Sequence, residues 1–450
     1  MKTKISFLVL LFFVLSVNSN AQYRRLNPYE GFLGGGFGVT WIDNKPHYTF
    51  HLFPELAFAN FGVGLDLNLE FDQNGKIRSE NFNEFSDYLS IIRYVRYGVK
   101  GDPFYARLGV LDYATLGHGS LMYLYNNSPS YDTRKVGMEL DLDLGVGGFE
   151  GVYSSFGEDG VVGFRGYVRP LQFTDAGDIP IIGNFEIGAT YITDFNKYAG
   201  VTAGSIDPAT NEFKPSQDFG TVQAYGFDLG LPIIKTSLAR LELYFDYAKI
   251  VNFGEGQTVG AMLRLNGLGL VNLQAKLERR LNGDHYLPAY FNSFYEIERF
   301  KFDETTGTVS SKVKELETLQ SVGNGFYGEL LVRVLGSFDI LGSYQRLDEH
   351  PKSGILHLET DVSPEGFPYV ARAGYDKINI QDEADIFTLD DRSYLFAELG
   401  YKPMPYLLVS LVYHWTFTPL RDEQDNVIDF IPQKKIEPRV SFVYPFDIGN

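Results

Sequence analysis

The sequence predicts an all-β chain: a transmembrane antiparallel up-and-down β-barrel with an even strand number, about 16–20 strands. Three observations point there. The stretch Phe61–Phe71 (FGVGLDLNLEF) alternates along its whole length, with Phe61, Val63, Leu65, Leu67, Leu69 and Phe71 on one parity and Gly62, Gly64, Asp66, Asn68 and Glu70 on the other. A period of two sends these sets to opposite faces of a strand, long enough to cross a bilayer at a tilt. Aromatic residues make up 15% of the chain, with 30 Tyr and 37 Phe, and Gly contributes 47, yet no later run approaches the ~18 apolar residues of a helical span. The third observation is that short turns alternate with connections that are often long. One such strand would suit a soluble sandwich equally well; the repetition decides for a barrel. An open sheet in lipid would leave edge N–H and C=O groups unpaired, each costing on the order of several kcal/mol.

The chain opens with Lys2 and Lys4, the apolar run Ile5–Val17 and the small residues Ser19-Asn20-Ala21 before Gln22, a secretory signal cleaved after Ala21. No cysteine follows, so it is not a lipoprotein signal. Residues 22–450 are then one barrel domain, without a linker, a low-complexity tract or a second domain. Gly31–Trp41 and Tyr48–Phe58 read as an opening hairpin, its second strand made irregular by Pro54. Ala59-Asn60 turns into Phe61–Phe71. Asp87–Gly98 is less regular, since Arg93 and Arg96 fall on opposite parities. Beyond the turn Lys100–Pro103, Phe104–Val110 alternates again, as do Val136–Leu144, Phe149–Phe156 and Val161–Arg169. Ile181–Asp194 and Thr221–Leu229 are weaker strands. Leu238–Tyr247, Thr258–Asn266, Val271–Glu278, Phe326–Val334, Phe338–Arg346, Leu356–Asp361, Phe367–Tyr375, Tyr394–Tyr401, Leu407–Trp415 and Pro438–Phe446 complete the series. Short turns include Gly145–Gly148, Asn266–Gly269, Gly336-Ser337, Ser363–Gly366 and Lys402–Pro405. The long connections are Asp72–Ser86, Tyr113–Lys135, Asn196–Phe219, Leu281–Gly323, Lys377–Asp391 and Thr418–Lys435.

The net charge of −18 becomes −20 once Lys2 and Lys4 are removed, with 37 basic against 57 acidic residues, which argues against nucleic acid as a partner. The absence of cysteine removes disulfides, thiolate metal sites and thiol nucleophiles together. The terminal aromatic strand resembles the assembly signal of Gram-negative outer-membrane proteins, although Asp447–Asn450 extend beyond Phe446. With Thr115-Leu116-Gly117-His118-Gly119, Tyr125–Lys135 (YNNSPSYDTRK) and Tyr167–Pro170 (YVRP), the chain resembles a largely uncharacterised porin-like family of Gram-negative outer-membrane barrels. The resemblance implies the barrel and the cell outer membrane, and it transfers no catalytic residue or substrate.

Candidate site residues come from the pleat. Arg96 and Arg107 should point inward from adjacent strands, Glu139, Asp141 and Asp143 from the next, Glu150 after it, then Arg165 and Arg169. Columns of opposite sign in a narrow lumen would select solutes by charge, or else brace the wall as cross-strand ion pairs. In Tyr113–Lys135 the segment SLMYLY at Ser120–Tyr125 is too apolar for a loop in water, and Gly117-His118-Gly119 permits a sharp bend. The loop then either narrows the barrel, with His118, Tyr123, Tyr125 and Arg134 near the constriction, or caps the rim or a neighbouring subunit. Leu281–Gly323 carries the aromatic run Tyr286–Phe300. It is either a folded lid or partner surface or, somewhat better supported, a solvated loop; Ser310–Leu319 would form a short helix capped by Ser310.

His51, His357 and His414 face inward, and His357 shares a face with Glu359 and Asp361, a triplet best read as lumen lining. No enzyme, cofactor or metal is expected: neither a His–Cys cluster nor a phosphate-binding glycine loop occurs in the right context. Scattered acidic loop residues lack the spacing of a calcium loop. The expected function is an outer-membrane, porin-like channel for small polar or amphipathic solutes. A structural barrel with a plugged lumen is the alternative, and a barrel-embedded hydrolase stands well below both. Expected partners are outer-membrane lipid, a small-molecule solute and the barrel-assembly machinery. A homo-oligomer is suggested only by analogy with porins.

Overall fold

The computed structural model describes residues 31–446, apart from residues 43, 59, 79–87, 89–90, 129–134, 158, 207–212, 237, 268–270, 304–305, 320–322, 335–337, 351, 365–366, 383, 405 and 422–426. The expected signal segment, Arg134, the turn Gly336-Ser337 and the extension Asp447–Asn450 lie outside the described residues.

A sheet of 22 strand segments contains every long alternating stretch predicted above. Two strands are each counted as two segments. Lys45–Leu52 continues as Glu55–Phe58 after a break at Pro54, and Phe61–Leu65 continues as Leu67–Phe71 after a break at Asp66, so among the described residues the segments make twenty staves. Every pairing is antiparallel and joins neighbours in the chain, from Phe104–Gly109 with Gly137–Asp143 through to Leu407–Arg421 with Val427–Phe446. The last strand then pairs with the first, Gly31–Ile42, with Gly31 opposite Phe446 and Leu33 opposite Tyr444. The ladder returns to its start.

The connections separate by end as anticipated, with one exception. Between Val168 and Glu186, at the end that carries short turns, the chain makes three 3-10 turns, Pro170–Phe173, Asp175–Asp178 and Ile182–Asn184. The expected strand Ile181–Asp194 therefore begins only at Glu186. The predicted strand Asp87–Gly98 is observed as Ile92–Tyr97. The stretch Thr418–Lys435 is not a loop. Leu407–Arg421 and Val427–Phe446 continue as a projecting hairpin, in which Phe417 pairs with Pro432.

The long connections also carry structure of their own. Val201–Ile206, Phe213–Asp218, Thr308–Ser311 and Phe300–Asp303 form a separate four-stranded sheet from two loops distant in sequence. The helix expected over Ser310–Leu319 spans Val313–Thr318, and its N-cap is Lys312, which makes no side-chain cap bond. Ser310 does not cap it because its backbone is already committed to the strand opposite Lys301.

Burial is inverted relative to a water-soluble fold. Phe37 is 64% exposed, Leu277 62% and Leu399 67%, whereas Arg280, Lys377 and Lys435 are at most 2% exposed. The parity read from the sequence accounts for both sets: along Val271–Asn282, Leu277 points outward while its neighbours Lys276 and Glu278 are buried inside. Aromatic side chains gather on the outer surface beside the short turns. Phe58, Phe61, Phe104, Phe367, Tyr369 and Tyr401 are all exposed there. Ring contacts join Phe61 to Tyr97 at 4.9 Å and Tyr97 to Phe104 at 5.5 Å, and elsewhere Tyr369 to Tyr401 at 5.5 Å.

Candidate functional site

Two long loops enter the ring from the long-loop end and pack on each other. Main-chain bonds join them: Ala289 N–H donates to the Ser120 carbonyl, Phe291 N–H to Leu121, and Tyr123 N–H to Phe291. Met122 and Phe291 form a parallel bridge. Leu111, Ala114, Leu116, Leu121, Met122 and Tyr125 of the first loop share one buried cluster with Tyr286, Tyr290, Phe291 and Tyr295 of the second. Val152, Val161, Ile192, Val222, Ala224, Ala248 and Ile250 of the wall join it, all near the long-loop end of their strands, as do Ala199, Val313 and Leu316 of the loops. The aromatic run Tyr286–Phe300 is thus not a solvated loop. Burying several rings against one another stabilises far more than exposing them would.

The first loop is held to the wall by charge. Gly117 and Gly119 take positive φ of 57° and 97°, the bend their sequence allowed, and turn His118 outward from the loop. The His118 ring stacks on Tyr244 at 4.0 Å, its Nδ1 lies 2.7 Å from Asp246 Oδ1 and its Nε2 lies 4.0 Å from Glu242. Burial opposes the imidazolium, but Asp246 and then Glu242 more than offset it and raise the His118 pKa to about 10. Ser120 Oγ donates to Asp246 Oδ2 at 2.5 Å, and Lys276 Nζ donates to the His118 carbonyl at 2.5 Å. Lys276 Nζ also sits 4.4 Å from the centre of the Tyr123 ring. Gly117 N–H donates to Glu150 at 2.7 Å, and a Cβ at Gly117 would stand 3.0 Å from Arg165.

The predicted charge columns lie in register. Arg96 is opposite Arg107, Arg107 opposite Glu139, Asp141 opposite Glu150 and Glu150 opposite Arg165. Each cation meets a nearby acceptor. Arg96 donates to the Gly98 carbonyl at 2.9 Å, and Arg107 to Asp112 at 2.8 Å. Glu139 bonds to Lys100, which also lies 3.2 Å from Asp141. Arg165 reaches Asp228 at 2.6 Å, Glu186 at 2.8 Å and Glu150 at 3.1 Å. Arg169 bridges Asp143 at 2.8 Å and Glu186 at 3.0 Å. Among the described members of the predicted set, His118, Tyr123 and Tyr125 belong to the inward loop and the others to the wall or its pairs.

Sequence reasoning did not single out Lys100, Glu186, Asp228, Asp246, Lys276, Glu278 or Arg280, the partners that complete these networks. Arg280 Nη2 lies 2.5 Å from Glu278, which accepts the Tyr244 hydroxyl at 2.6 Å and lies 2.8 Å from Lys276. Strand parity marks all but Lys100, which lies in a turn, as inward-facing, but nothing local marks which loop they hold. Of the inward histidines, His51 bonds Asp66 at 2.7 Å. His357 bonds Asp376 at 2.7 Å beneath the Tyr113 ring. The Phe396 ring lies 5.2 Å from that of His414. Toward the short turns, by contrast, the inward-facing Arg240 and Arg264 are exposed.

No protein-family model matches the chain, and no curated protein matches it. Solved structures that it resembles include the outer membrane protein opdK from Pseudomonas aeruginosa, at 11% identity and a TM-score of 0.29, covering 93% of this chain and 99% of that one. The ferric-catecholate import receptor Fiu from E. coli K12 is 10% identical with a TM-score of 0.37, covering 94% and 82%. OccAB3 from Acinetobacter baumannii is 10% identical with a TM-score of 0.30, covering 93% and 98%.

Proposed function

We propose that the chain spans the outer membrane of a Gram-negative envelope as a closed barrel and there passes or binds small polar or amphipathic solutes. The observation that carries this is the inversion of burial: exposed Phe, Leu and Tyr outside, buried and paired Arg, Lys, Asp and Glu inside. In water such an exterior would cost about 25 cal/mol for each Å² of apolar surface, whereas lipid removes that cost. The aromatic rings exposed beside the short turns suit the boundary between hydrocarbon and headgroups.

The solute path runs past the exposed Arg240 and Arg264 and meets the inward-folded loops at the level of His118 and Tyr123. Arg96, Arg107, Glu139, Asp141, Asp143, Arg165 and Arg169 set the field along one side of it. The second reading is a structural barrel whose lumen stays plugged, and the apolar cluster between the two loops and the wall favours it. Planar-bilayer conductance of residues 22–450 separates the two. Stable current steps are expected, with a charge selectivity that shifts on Arg107→Ala or Asp141→Ala, and deletion of Ser120–Asn127 should raise the step size. A β-rich, heat-resistant insertion that carries no current, with or without that deletion, would leave only the plugged barrel.

A further inference from the structure

Three cations share one cross-strand row of the wall toward the short turns. Arg240 lies opposite Lys235 on one side and opposite Arg264 on the other, and Arg264 lies opposite Gln274. Directly opposite residues share a face of the sheet, so Lys235 faces inward with the two arginines. Lys235 owes that place to a bulge. The register slips by one residue between Pro232 and Ile234; without the slip Ile234 would take the inward position and Lys235 the outward one. All three cations are exposed.

Their partners are the second, independent feature. Arg240 Nη2 lies 2.8 Å from Glu242, but Lys235 Nζ donates to the Asn184 amide oxygen at 3.0 Å and Arg264 Nε to that of Gln274 at 3.0 Å. Neither Lys235 nor Arg264 has a carboxylate within ion-pair distance among the described residues. The acids around them are engaged elsewhere. Glu242 also lies 4.0 Å from His118, Glu186 holds Arg165 and Arg169, and Glu329 accepts the Gln274 amide at 3.1 Å. Inward-facing arginines toward the same end of other strands do reach a carboxylate: Arg169 at 2.8 Å, Arg333 at 2.9 Å, Arg372 at 3.3 Å and Arg439 at 2.7 Å. Like charges set directly opposite one another are destabilising, and an anion between them relieves that cost. Such a row stands out in a chain with 57 acidic and 39 basic residues.

We propose that this row binds a short dicarboxylate, one carboxylate between the Arg240 and Arg264 guanidiniums and the other between Arg240 and the Lys235 ammonium. Adjacent strands stand about 4.8 Å apart, so the three cations span about 10 Å. A four-carbon diacid bridges that row, whereas a monocarboxylate fills only half of it. A cation would meet three like charges, and a neutral solute would leave them unmatched. The inference deepens the solute-handling reading by naming a class; binding stands by itself, and only passage of the bound diacid across the membrane rests on that reading.

The test uses the full barrel in detergent at low ionic strength and three probes with one four-carbon chain: succinate, butyrate and 1,4-butanediol. Calorimetry should show saturable binding of succinate, butyrate at least fivefold weaker and no heat from the diol. Arg264→Gln, at a side chain that makes no ion pair, should weaken succinate at least fivefold and leave the heat resistance of the barrel unchanged. Lys235→Gln should abolish the preference for succinate over butyrate. Arg439→Gln, which removes an inward cation from another strand, should leave succinate affinity within twofold. No saturable succinate binding, equal affinity for succinate and butyrate, a preference that survives Lys235→Gln, or equal weakening by Arg264→Gln and Arg439→Gln overturns the proposal. Uptake into liposomes is measured separately. Binding without flux would uphold the row and remove the transport reading; flux without a preference for the diacid would do the reverse.

Discussion

Arg165→Met should destabilise the folded barrel by about 3–5 kcal/mol, the scale of breaking a buried ion pair from one side. The guanidinium is the common partner of three carboxylates, bidentate to Asp228 and single to Glu186 and Glu150, with its side chain 3% exposed. Methionine fills similar volume but leaves these acids facing one another in a region of low dielectric. Glu150 also accepts the Gly117 N–H, so the damage should spread to the inward loop. Arg169→Met is the control: Arg169 shares Glu186 and also bridges Asp143, but its partners are more open to water and its loss should cost far less. Denaturant titration of the barrel in detergent, read by loss of the heat-resistant species on a gel, compares the two. Equal shifts would mean that the Arg165 cluster is no more than a solvated surface pair.

The strand faces were legible because alternation is local. That Arg107, Glu139, Glu150 and Arg165 all face inward follows from parity, whereas the register that sets Arg107 opposite Glu139 across a long loop belongs to the fold. What parity cannot reveal is which loop falls into the lumen and what holds it there, because those partners are remote: Asp246 binds a histidine more than a hundred residues away. Two signals existed for the loops, the apolar SLMYLY segment and the aromatic density of Tyr286–Phe300. Both mean burial, but the second is interleaved with Glu296, Glu298 and Arg299, whose charges suit a solvated loop until their buried partners are known. The small loop sheet was hidden for a different reason. Val201–Ile206 and Thr308–Ser311 are short segments, each paired within its own loop, and the contact that joins the two hairpins into one sheet is between loops distant in sequence. Pro419 and Pro432 made Thr418–Lys435 look like a loop. In the fold, Val427–Lys434 pairs with Leu407–Arg421 alone, since pairing to the first strand starts only at Lys435, so Pro432 sits on an edge where a missing N–H costs little.

The inward loop should loosen as pH rises, and His118 gives the sign. Its folded-state pKa is raised from 6.5 to about 10, so the folded arrangement holds the proton more tightly than the released one. The stabilisation is therefore full below about pH 6.5, declines by about 1.4 kcal/mol per unit as pH climbs, and is gone above about 10. What is lost is the imidazolium bond to Asp246, and with it the position of the His118 carbonyl that receives Lys276. Protease nicking within residues 113–135, or open-channel noise, should rise steeply between pH 8 and roughly 10 in the unaltered protein. His118→Gln should flatten the part of the profile that this histidine owns, and Asp246→Asn should give the loosened loop already at neutral pH. Tyrosines and lysines elsewhere titrate in the same range, so the informative quantity is the difference between the unaltered protein and His118→Gln. Identical profiles for the two would show that the loop is held by its apolar cluster alone, with the charged contact along its edge contributing nothing.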